Sequence, residues 1–190
     1  GHENYSYKYN YLMGAKSGFP FGGLYELGSA ATVITANSYE DNYTIESYLS
    51  RLNYNYDDRY YLSASFRRDG SSRFAKDIRW GNFWSVGANW RVSQESFMQG
   101  LYWLNNLNVK ASFGVQGNDN VGGYYPWQAL YSLTFPNAGM NGGVVASVEN
   151  TDLRWERNEN LNIGFDTRIF NRVSFAAEWY KRVTKDMLMA

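Results

Sequence analysis

The feature that most constrains the fold is a regular alternation of apolar and polar side chains in two neighbouring segments. In residues 60–68 the even positions hold Tyr, Leu, Ala, Phe and Arg, whereas serine and arginine hold most of the odd ones. In residues 84–92 the even positions hold Trp, Val, Ala, Trp and Val, and the odd ones Ser, Gly, Asn and Arg. Successive side chains of a β-strand point to opposite faces of its sheet. The two segments therefore predict a long antiparallel hairpin with one apolar and one polar face.

The same alternation predicts further strands at residues 44–56, 107–116, 155–170 and from residue 173 onward. We thus expect an all-β chain of about six antiparallel, up-and-down strands, each near the 9–11 residues with which a tilted strand crosses a bilayer. Residues 4–43 show many glycines and no sustained period, which favours a loop. Residues 94–106 carry apolar side chains at helical spacing, which indicates a short amphipathic helical turn.

The predicted connections alternate in length. Short turns at residues 57–59 and 171–172 alternate with longer loops at residues 70–82 and 117–154. In an up-and-down membrane barrel the short turns lie on one rim and the long loops on the other. We therefore expect Asp57-Asp58 and Asn171-Arg172 at one edge of the sheet, with the two loops at the opposite edge.

Composition narrows the function. The 190 residues carry 18 basic and 18 acidic side chains, no cysteine and 18% aromatic residues. The balanced charge favours no nucleic-acid partner, and without cysteine neither a disulfide framework nor a thiolate metal site can form. Since His2 is also the only histidine, we expect no metal and no other cofactor.

Two architectures fit an amphipathic sheet. In a soluble β-sandwich the apolar faces pack on each other, whereas in a membrane barrel they face lipid and the polar faces line a hydrated lumen. Long strands with tyrosine and tryptophan near their ends favour the barrel, because these rings gather where hydrocarbon meets water. The alternative is a soluble, aromatic-rich sandwich that binds carbohydrate. Six strands are fewer than the roughly eight of the smallest single-chain barrels, and both chain ends look cut, so we expect a piece of a larger barrel.

Several motifs resemble one known family. Residues 56–74, YDDRYYLSASFRRDGSSRF, resemble the signature of the SusC/RagA family of TonB-linked outer-membrane transporters. Residues 79–87 (RWGNFWSVG) and 110–118 (KASFGVQGN) resemble the same family, as do residues 1–3 and 150–156. These motifs stand in the family's order and cover nearly the whole chain.

The resemblance implies that residues 1–190 are part of a TonB-dependent receptor barrel of about 22 strands with an internal plug. The plug domain, the N-terminal strands and the closing C-terminal strand would then lie outside these residues. The family also implies the outer membrane of Gram-negative Bacteroidota, with outer-membrane lipids around the barrel. It implies import of oligosaccharides or peptides with a SusD-like surface lipoprotein, energised through TonB.

The residues favour a non-enzymatic protein. Asp57 and Asp58 are adjacent carboxylates, but neighbouring side chains on an extended backbone diverge, and a catalytic pair must aim at one bond. We therefore interpret the two aspartates as turn residues. The sequence contains no glycine-rich phosphate loop between a strand and a helix and no nucleophile elbow.

Four aromatic residues of the second loop and two arginines of the polar faces are candidate substrate-binding residues: Tyr124, Tyr125, Trp127, Tyr131, Arg67 and Arg91. The rings can stack on sugar faces or contact a lid protein, and a packed loop is the equally weighted alternative. A further group of charged residues predicts ion pairs that tie down a loop, in preference to an anion site. It comprises Arg67, Arg68, Asp69, Arg73, Asp77 and Arg79.

Overall fold

The computed structural model describes residues 1–188, and these residues form nine strands and three short 3-10 turns. The strands are β1 His2–Ser17, β2 Thr32–Tyr56, β3 Tyr60–Ser71, β4 Trp80–Arg91, β5 Leu104–Asn118, β6 Leu130–Asn137, β7 Met140–Ser147, β8 Glu156–Ile169 and β9 Val173–Lys185. The 3-10 turns are Leu27–Ser29, Val92–Gln94 and Ser96–Met98. Within the described part of the chain, no helix has the length and apolar character needed to cross a membrane.

The strands form one seven-stranded sheet in the order β1-β2-β3-β4-β5-β8-β9, and β6 pairs with β7 in a separate two-stranded sheet. Each registered pair from β2 to β9 is antiparallel. The predicted all-β, antiparallel, up-and-down fold is therefore confirmed. The expected number of about six strands was too low, because one strand at the N-terminus and the β6–β7 hairpin were missed.

The chain divides into two compact units, residues 5–44 and the remainder. Residues 5–44 contain most of β1 and the first half of β2, so the predicted loop over residues 4–43 is wrong. Tyr5, Tyr7, Tyr9 and Tyr11 occupy every second position of β1 and supply the strand period. Because tyrosine contrasts weakly in hydropathy with the Asn, Ser and Lys between them, this alternation was not recognised. Tyr11 stacks on Tyr39 of β2 with ring centroids 4.8 Å apart.

In the larger unit, the predicted loop at residues 70–82 is shorter than expected. β3 continues to Ser71 and β4 begins at Trp80, with Gly70 registered opposite Trp80. A Cβ atom at Gly70 would lie 2.9 Å from the indole ring of Trp80. Gly70 is therefore a strand residue that makes room for a ring, and interpreting it as a loop glycine was wrong.

The predicted loop at residues 117–154 contains the β6–β7 hairpin. The two strands turn at Ala138 and Gly139, whose φ angles are 50° and 78°. Positive φ at both central residues is the geometry of a tight two-residue hairpin turn. The helical turn predicted at residues 94–106 is a pair of 3-10 turns, and β5 already begins at Leu104.

The two predicted short turns are present. Asp57 and Asp58 have φ angles of 53° and 51°, and the amide of Arg59 donates to the carbonyl of Tyr56 at 3.1 Å. The second turn is centred on Phe170 and Asn171, with φ angles of 53° and 54°. It lies one residue earlier than the predicted Asn171-Arg172 pair.

Both turns lie at the same end of the strands, and we call this side of the sheet the turn edge. The amide of Arg91 donates to the carbonyl of Arg59 at 2.8 Å, and that of Phe170 donates to the carbonyl of Trp103 at 2.8 Å. The loops at residues 72–79 and 119–155 meet at the opposite edge, the loop edge, where the indole of Trp127 donates to the carbonyl of Ser72 at 3.3 Å. The predicted separation of short turns from long loops is confirmed.

The strand register places apolar side chains in continuous rows on one face, which we call the apolar face. One row, in which each residue is the registered partner of the next, is Tyr54, Leu62, Ala88, Ala111, Ile163 and Trp179. Its large side chains are uncovered: Leu62 is 53% exposed and Val86, one row further along, is 48% exposed. The only other sheet in residues 1–188 is the β6–β7 pair. A sandwich would bury this face under a second sheet, so the alternative of a soluble sandwich is wrong.

A small buried cluster lies at the loop edge. Phe74, Phe83, Val115 and Trp155 are its buried members. The indole of Trp155 donates to the carbonyl of Arg79 at 2.8 Å and so attaches β8 to the loop between β3 and β4. The cluster stabilises the loop edge and leaves most of the sheet surface without a covering layer.

Candidate functional site on the polar face

The opposite face of the sheet, which we call the polar face, is built mainly from asparagine and serine. A row across its middle is Asn53, Ser63, Gly87, Ser112 and Asn162, each registered with the next. Side chains bond across strands, with the hydroxyl oxygens of Ser65 and Ser85 2.7 Å apart. The amide of Asn162 donates to the hydroxyl of Ser112 at 3.4 Å. Such a surface offers hydrogen-bond donors and acceptors without net charge.

Three adjoining concavities follow this face from one edge to the other. The middle one has a volume of about 420 Å³ and is lined by Asn53, Ser63, Asn89 and Lys110 among others. A concavity of about 680 Å³ lies toward the loop edge, and one of about 830 Å³ lies toward the turn edge. The polar face therefore presents recessed polar surface along the length of the strands.

Most charges on the polar face have partners. The ammonium of Lys110 lies 3.3 Å from the carboxylate of Glu178, and the side-chain amide of Asn108 donates to Asp166 at 2.8 Å. Lys110 and Glu178 cancel each other's charge at a distance, whereas Asp166 keeps its charge and is held by a neutral amide, so the middle of this surface offers mainly neutral hydrogen-bonding groups. Lys110, Glu178 and the asparagine rows were not among the sequence candidates. The alternation of the strands does place Lys110 and Glu178 on the polar face, as lumen charges and not as substrate contacts.

The two candidate arginines do not form one site. Arg67 lies toward the loop edge, where its guanidinium donates to Asp69 at 2.6 Å and to the hydroxyl of Ser47 at 2.9 Å. Arg91 lies at the turn edge and donates to the carbonyl of Asp58 at 3.3 Å. The backbone of Arg91 bonds to Arg59, and Arg67 is then about 27 Å further along at the usual rise of a strand.

Three of the four candidate aromatic residues lie in the loop after β5, at the loop edge. Tyr124, Tyr125 and Trp127 are half-buried. The guanidinium of Arg73 lies 5.6 Å from the ring centroid of Tyr124 and 3.6 Å from the carboxylate of Asp119. The ion pair of Arg73 with Asp119 connects the two loops of this edge, as the predicted loop-tying ion pairs require. Arg67 and Asp69, in contrast, pair within β3 and hold no loop.

Tyr131 and Arg68 lie outside the group of loop-edge residues. Tyr131 lies on β6, whereas the other three aromatic candidates lie in the loop before that strand, and it is 64% exposed. Arg68 points to the apolar face, where its guanidinium lies 5.2 Å from the ring centroid of Trp80. Arg68 therefore belongs neither to the loop tether nor to the polar face.

Glu95 is a buried carboxylate at the turn edge that sequence reasoning missed. It accepts hydrogen bonds from the hydroxyl of Tyr60 at 2.6 Å and from the indole of Trp90 at 2.9 Å. Arg59 lies 3.5 Å away. The hydrogen bond from Tyr60, reinforced by the one from Trp90, lowers the pKa of Glu95 below its ordinary value. Glu95 thereby attaches the β4–β5 connection to the ends of two strands.

No group of three or more His, Cys, Asp or Glu side chains suited to a metal ion occurs among residues 1–188. In the main sheet, each strand has 12 residues or more. One face of the sheet is apolar and uncovered, and the other is polar and recessed. These features define the wall of a membrane-spanning β-barrel, in which the apolar face meets lipid and the polar face meets the lumen.

The comparisons with known proteins agree with that class. The family model described as "TonB dependent receptor-like, beta-barrel" matches residues 2–190. The chain belongs to the TonB-dependent receptors, in their SusC/RagA family, and is part of an outer-membrane β-barrel. The resemblance predicted from the sequence motifs is thereby confirmed.

Individual relatives support the same assignment. The chain is 34% identical over 165 residues to TonB-dependent receptor P39 of Formosa agariphila, covering 86% of this chain and 15% of that protein. It is 32% identical over 158 residues to TonB-dependent receptor SusC of Bacteroides thetaiotaomicron, covering 80% of this chain and 16% of that protein. The solved structure of the RagAB peptide transporter superposes with a TM-score of 0.84 and 31% identity, over 98% of this chain and 21% of that chain. The relatives are receptors and transporters, and the chain spans about a sixth to a fifth of their length.

Proposed function

We propose that this chain is a section of the barrel wall of an importer that carries oligosaccharides or peptides across the outer membrane. Residues 1–190 supply strands of that wall, and the plug, the N-terminal strands and the closing strand belong to other parts of the same protein. A SusD-like lipoprotein covers the importer on the outside, and TonB energises it. Similarity to the RagAB peptide transporter supports the transport role, and similarity to TonB-dependent receptor SusC supports the dependence on TonB.

One observation carries the proposal: the two faces of the same sheet have opposite chemistry. The apolar face exposes Leu62, Phe66 and Val86, a surface that water disfavours and lipid accepts. The polar face exposes a recessed band of asparagine and serine. Hydroxyl-rich sugars and peptide amides both make neutral hydrogen bonds, which is the chemistry that this band supplies.

The six candidate residues enter the proposal in two groups. Arg67 and the aromatic residues Tyr124, Tyr125 and Trp127 lie toward the loop edge, where substrate would enter, and Tyr131 is exposed on the β6–β7 hairpin. Arg91 lies at the turn edge, where substrate would leave. We propose that the first group contacts substrate or the lipoprotein and that Arg91 lines the exit.

The test compares two adjacent positions that face opposite ways. Ser112→Trp places a bulky ring on the polar face, and Ala111→Trp places the same ring on the apolar face. In a deletion strain that carries the full-length gene, we expect the Ser112 variant to slow uptake of labelled oligosaccharides or peptides, and the Ala111 variant to transport normally. Equal uptake by both variants at equal outer-membrane levels would contradict the proposal.

Substrate class and energy coupling need separate measurements. Uptake of labelled oligosaccharide and labelled peptide by the same strain decides which class is carried. Loss of uptake on deletion of TonB tests the energy source. Co-purification of a lipoprotein encoded beside the full-length gene tests the partner. A protein found in the soluble fraction, without a heat-dependent shift in gel mobility, would exclude a barrel altogether.

A further inference from the structure

A cleft on the apolar face, next to the loop edge, combines tryptophan with arginine. It has a volume of about 590 Å³ and lies between β4 and the start of β8. Trp80 and Trp84 line it from β4, and Arg154 and Arg157 line it from the other side. Asp77 and Asp186 are also part of its lining. We call this the tryptophan–arginine cleft. Trp84 and Arg157 occupy apolar-face positions of their strands, and the cleft shares Phe83, Trp84 and Trp155 with the polar-face concavity at the loop edge.

Arg157 is a cation of this cleft that lies beside a like charge and has no counter-ion among residues 1–188. It is exposed, and within residues 1–188 its guanidinium makes no hydrogen bond or ion pair. Its registered neighbour on β9 is Lys185, a second cation. Like charges directly opposite each other on paired strands destabilise the pair. Lys185 is compensated by Glu159 at 2.8 Å, whereas Arg157 is left without an anion.

The position of the cleft indicates which anion is available. In an outer-membrane barrel the edge with the long loops faces outward, so the cleft stands where the apolar face ends at the outer surface. Arg68, on the same face and beside Trp80, adds a cation at this level. Tryptophan and arginine at this depth meet the headgroups of the outer leaflet.

We propose that the tryptophan–arginine cleft binds the phosphorylated sugar headgroup of an outer-leaflet glycolipid. Arg157 and Arg154 hold a phosphate through charge-assisted hydrogen bonds, for which a guanidinium is well shaped. Trp80 and Trp84 present ring faces and edges to the sugar. Asp77 and Asp186 accept hydrogen bonds from sugar hydroxyls, which explains why carboxylates line a cleft that attracts an anion.

The binding test uses the full-length protein in detergent with purified lipids as probes. The probes are diphosphorylated lipid A, the same lipid with its phosphates removed, phosphatidylglycerol and inorganic phosphate, and binding is read by native mass spectrometry. We expect the diphosphorylated glycolipid to bind and the other three to bind at least about tenfold more weakly, which is the effect of losing one charge-assisted contact. Equal binding of the dephosphorylated lipid or of phosphatidylglycerol would overturn the proposal. So would equal occupancy by inorganic phosphate, which would indicate a free-anion site.

Point variants test whether the glycolipid binds in the tryptophan–arginine cleft. Arg157→Gln should weaken glycolipid binding about tenfold, and Arg154→Gln is a second variant should the first fail to assemble. Arg172→Gln, which removes an exposed cation at the turn edge, is the matched control and should bind normally. Unchanged binding by Arg157→Gln and Arg154→Gln would overturn the assignment to this cleft. Lipid binding is measured independently of import, so the glycolipid proposal can fail while the transport proposal holds, and the reverse.

Discussion

Close packing in this sheet depends on single residues. Gly70 is registered opposite Trp80, and a Cβ atom there would lie 2.9 Å from the indole ring. Real Cβ atoms do not approach so closely, so either the ring or the strand would have to move. Sequence inspection interpreted this glycine as a loop residue, because steric contact with a residue ten positions away is invisible in a local pattern.

We expect Gly70→Ala to destabilise the full-length barrel by about 1–3 kcal/mol through overpacking against Trp80. The measurement is the temperature at which the heat-modifiable folded band is lost on a gel. Gly100→Ala is the control, since a Cβ atom at Gly100 would meet no atom within 4 Å. An equal loss of stability in both variants would show that steric contact with Trp80 is not the cause.

Glu95 makes stability depend on pH. Its pKa is lowered in the folded protein, chiefly by the hydrogen bond from Tyr60. The stabilisation that comes from the ionised carboxylate is therefore complete above the ordinary glutamate pKa, and it is lost as the pH falls through the lowered, folded-state value.

We expect Glu95→Gln to be less stable than the wild-type protein at neutral pH and to lose less stability on acidification. The readout is the heat-modification midpoint between pH 7 and pH 3, and Glu149→Gln, at an exposed loop position, is the control. Parallel pH profiles of the wild-type protein and the Glu95 variant would show that the carboxylate does not respond to its partners.

At the level of elements, the β6–β7 hairpin has a suboptimal turn. Ala138 adopts a φ of 50°, a conformation that costs an alanine about 1–2 kcal/mol and an asparagine less. Ala138→Asn would create an Asn-Gly pair, the preferred sequence for this turn. We expect slower amide hydrogen exchange in β6 and β7 of the full-length protein, and faster exchange for Ala138→Val. The reverse order would contradict the turn geometry.

The elements also show how far the sequence could be interpreted. Strands β3, β4, β5, β8 and β9 were predicted because aliphatic and polar residues alternate in them with high contrast. β1 was missed because its alternating residues are tyrosines beside other polar side chains. The polar face was anticipated as a surface, but its asparagine and serine rows need strand register, which no single strand contains. Glu95 depends on contacts with two strand ends and could not be found from its own neighbours in sequence.

At the level of the whole molecule, the assignment to a membrane barrel depends on which face of the sheet meets lipid. Val86 lies on the apolar face and Ser85 on the polar face, one residue apart. We expect Val86→Arg to cost about 2–4 kcal/mol, the penalty for a cation on the lipid face near the bilayer midplane, and Ser85→Arg to cost far less. The measurement is the amount of folded full-length protein in the outer membrane. Equal tolerance of the two arginines would mean that the faces are assigned incorrectly.

The pairing of β5 with β8 shows which part of the chain can vary without disturbing the sheet. Residues 119–155 leave the wall after β5 and return at β8, and the two strands are registered along their whole length without any contribution from the excursion. A deletion, an insertion or an exchange within residues 128–150 would leave the pairing of β5 with β8 in place, whereas Asp119 and Trp155 would have to stay, because they attach the segment to the loop between β3 and β4. The middle of this segment can therefore differ in length and sequence while the barrel wall keeps the same strand pairing.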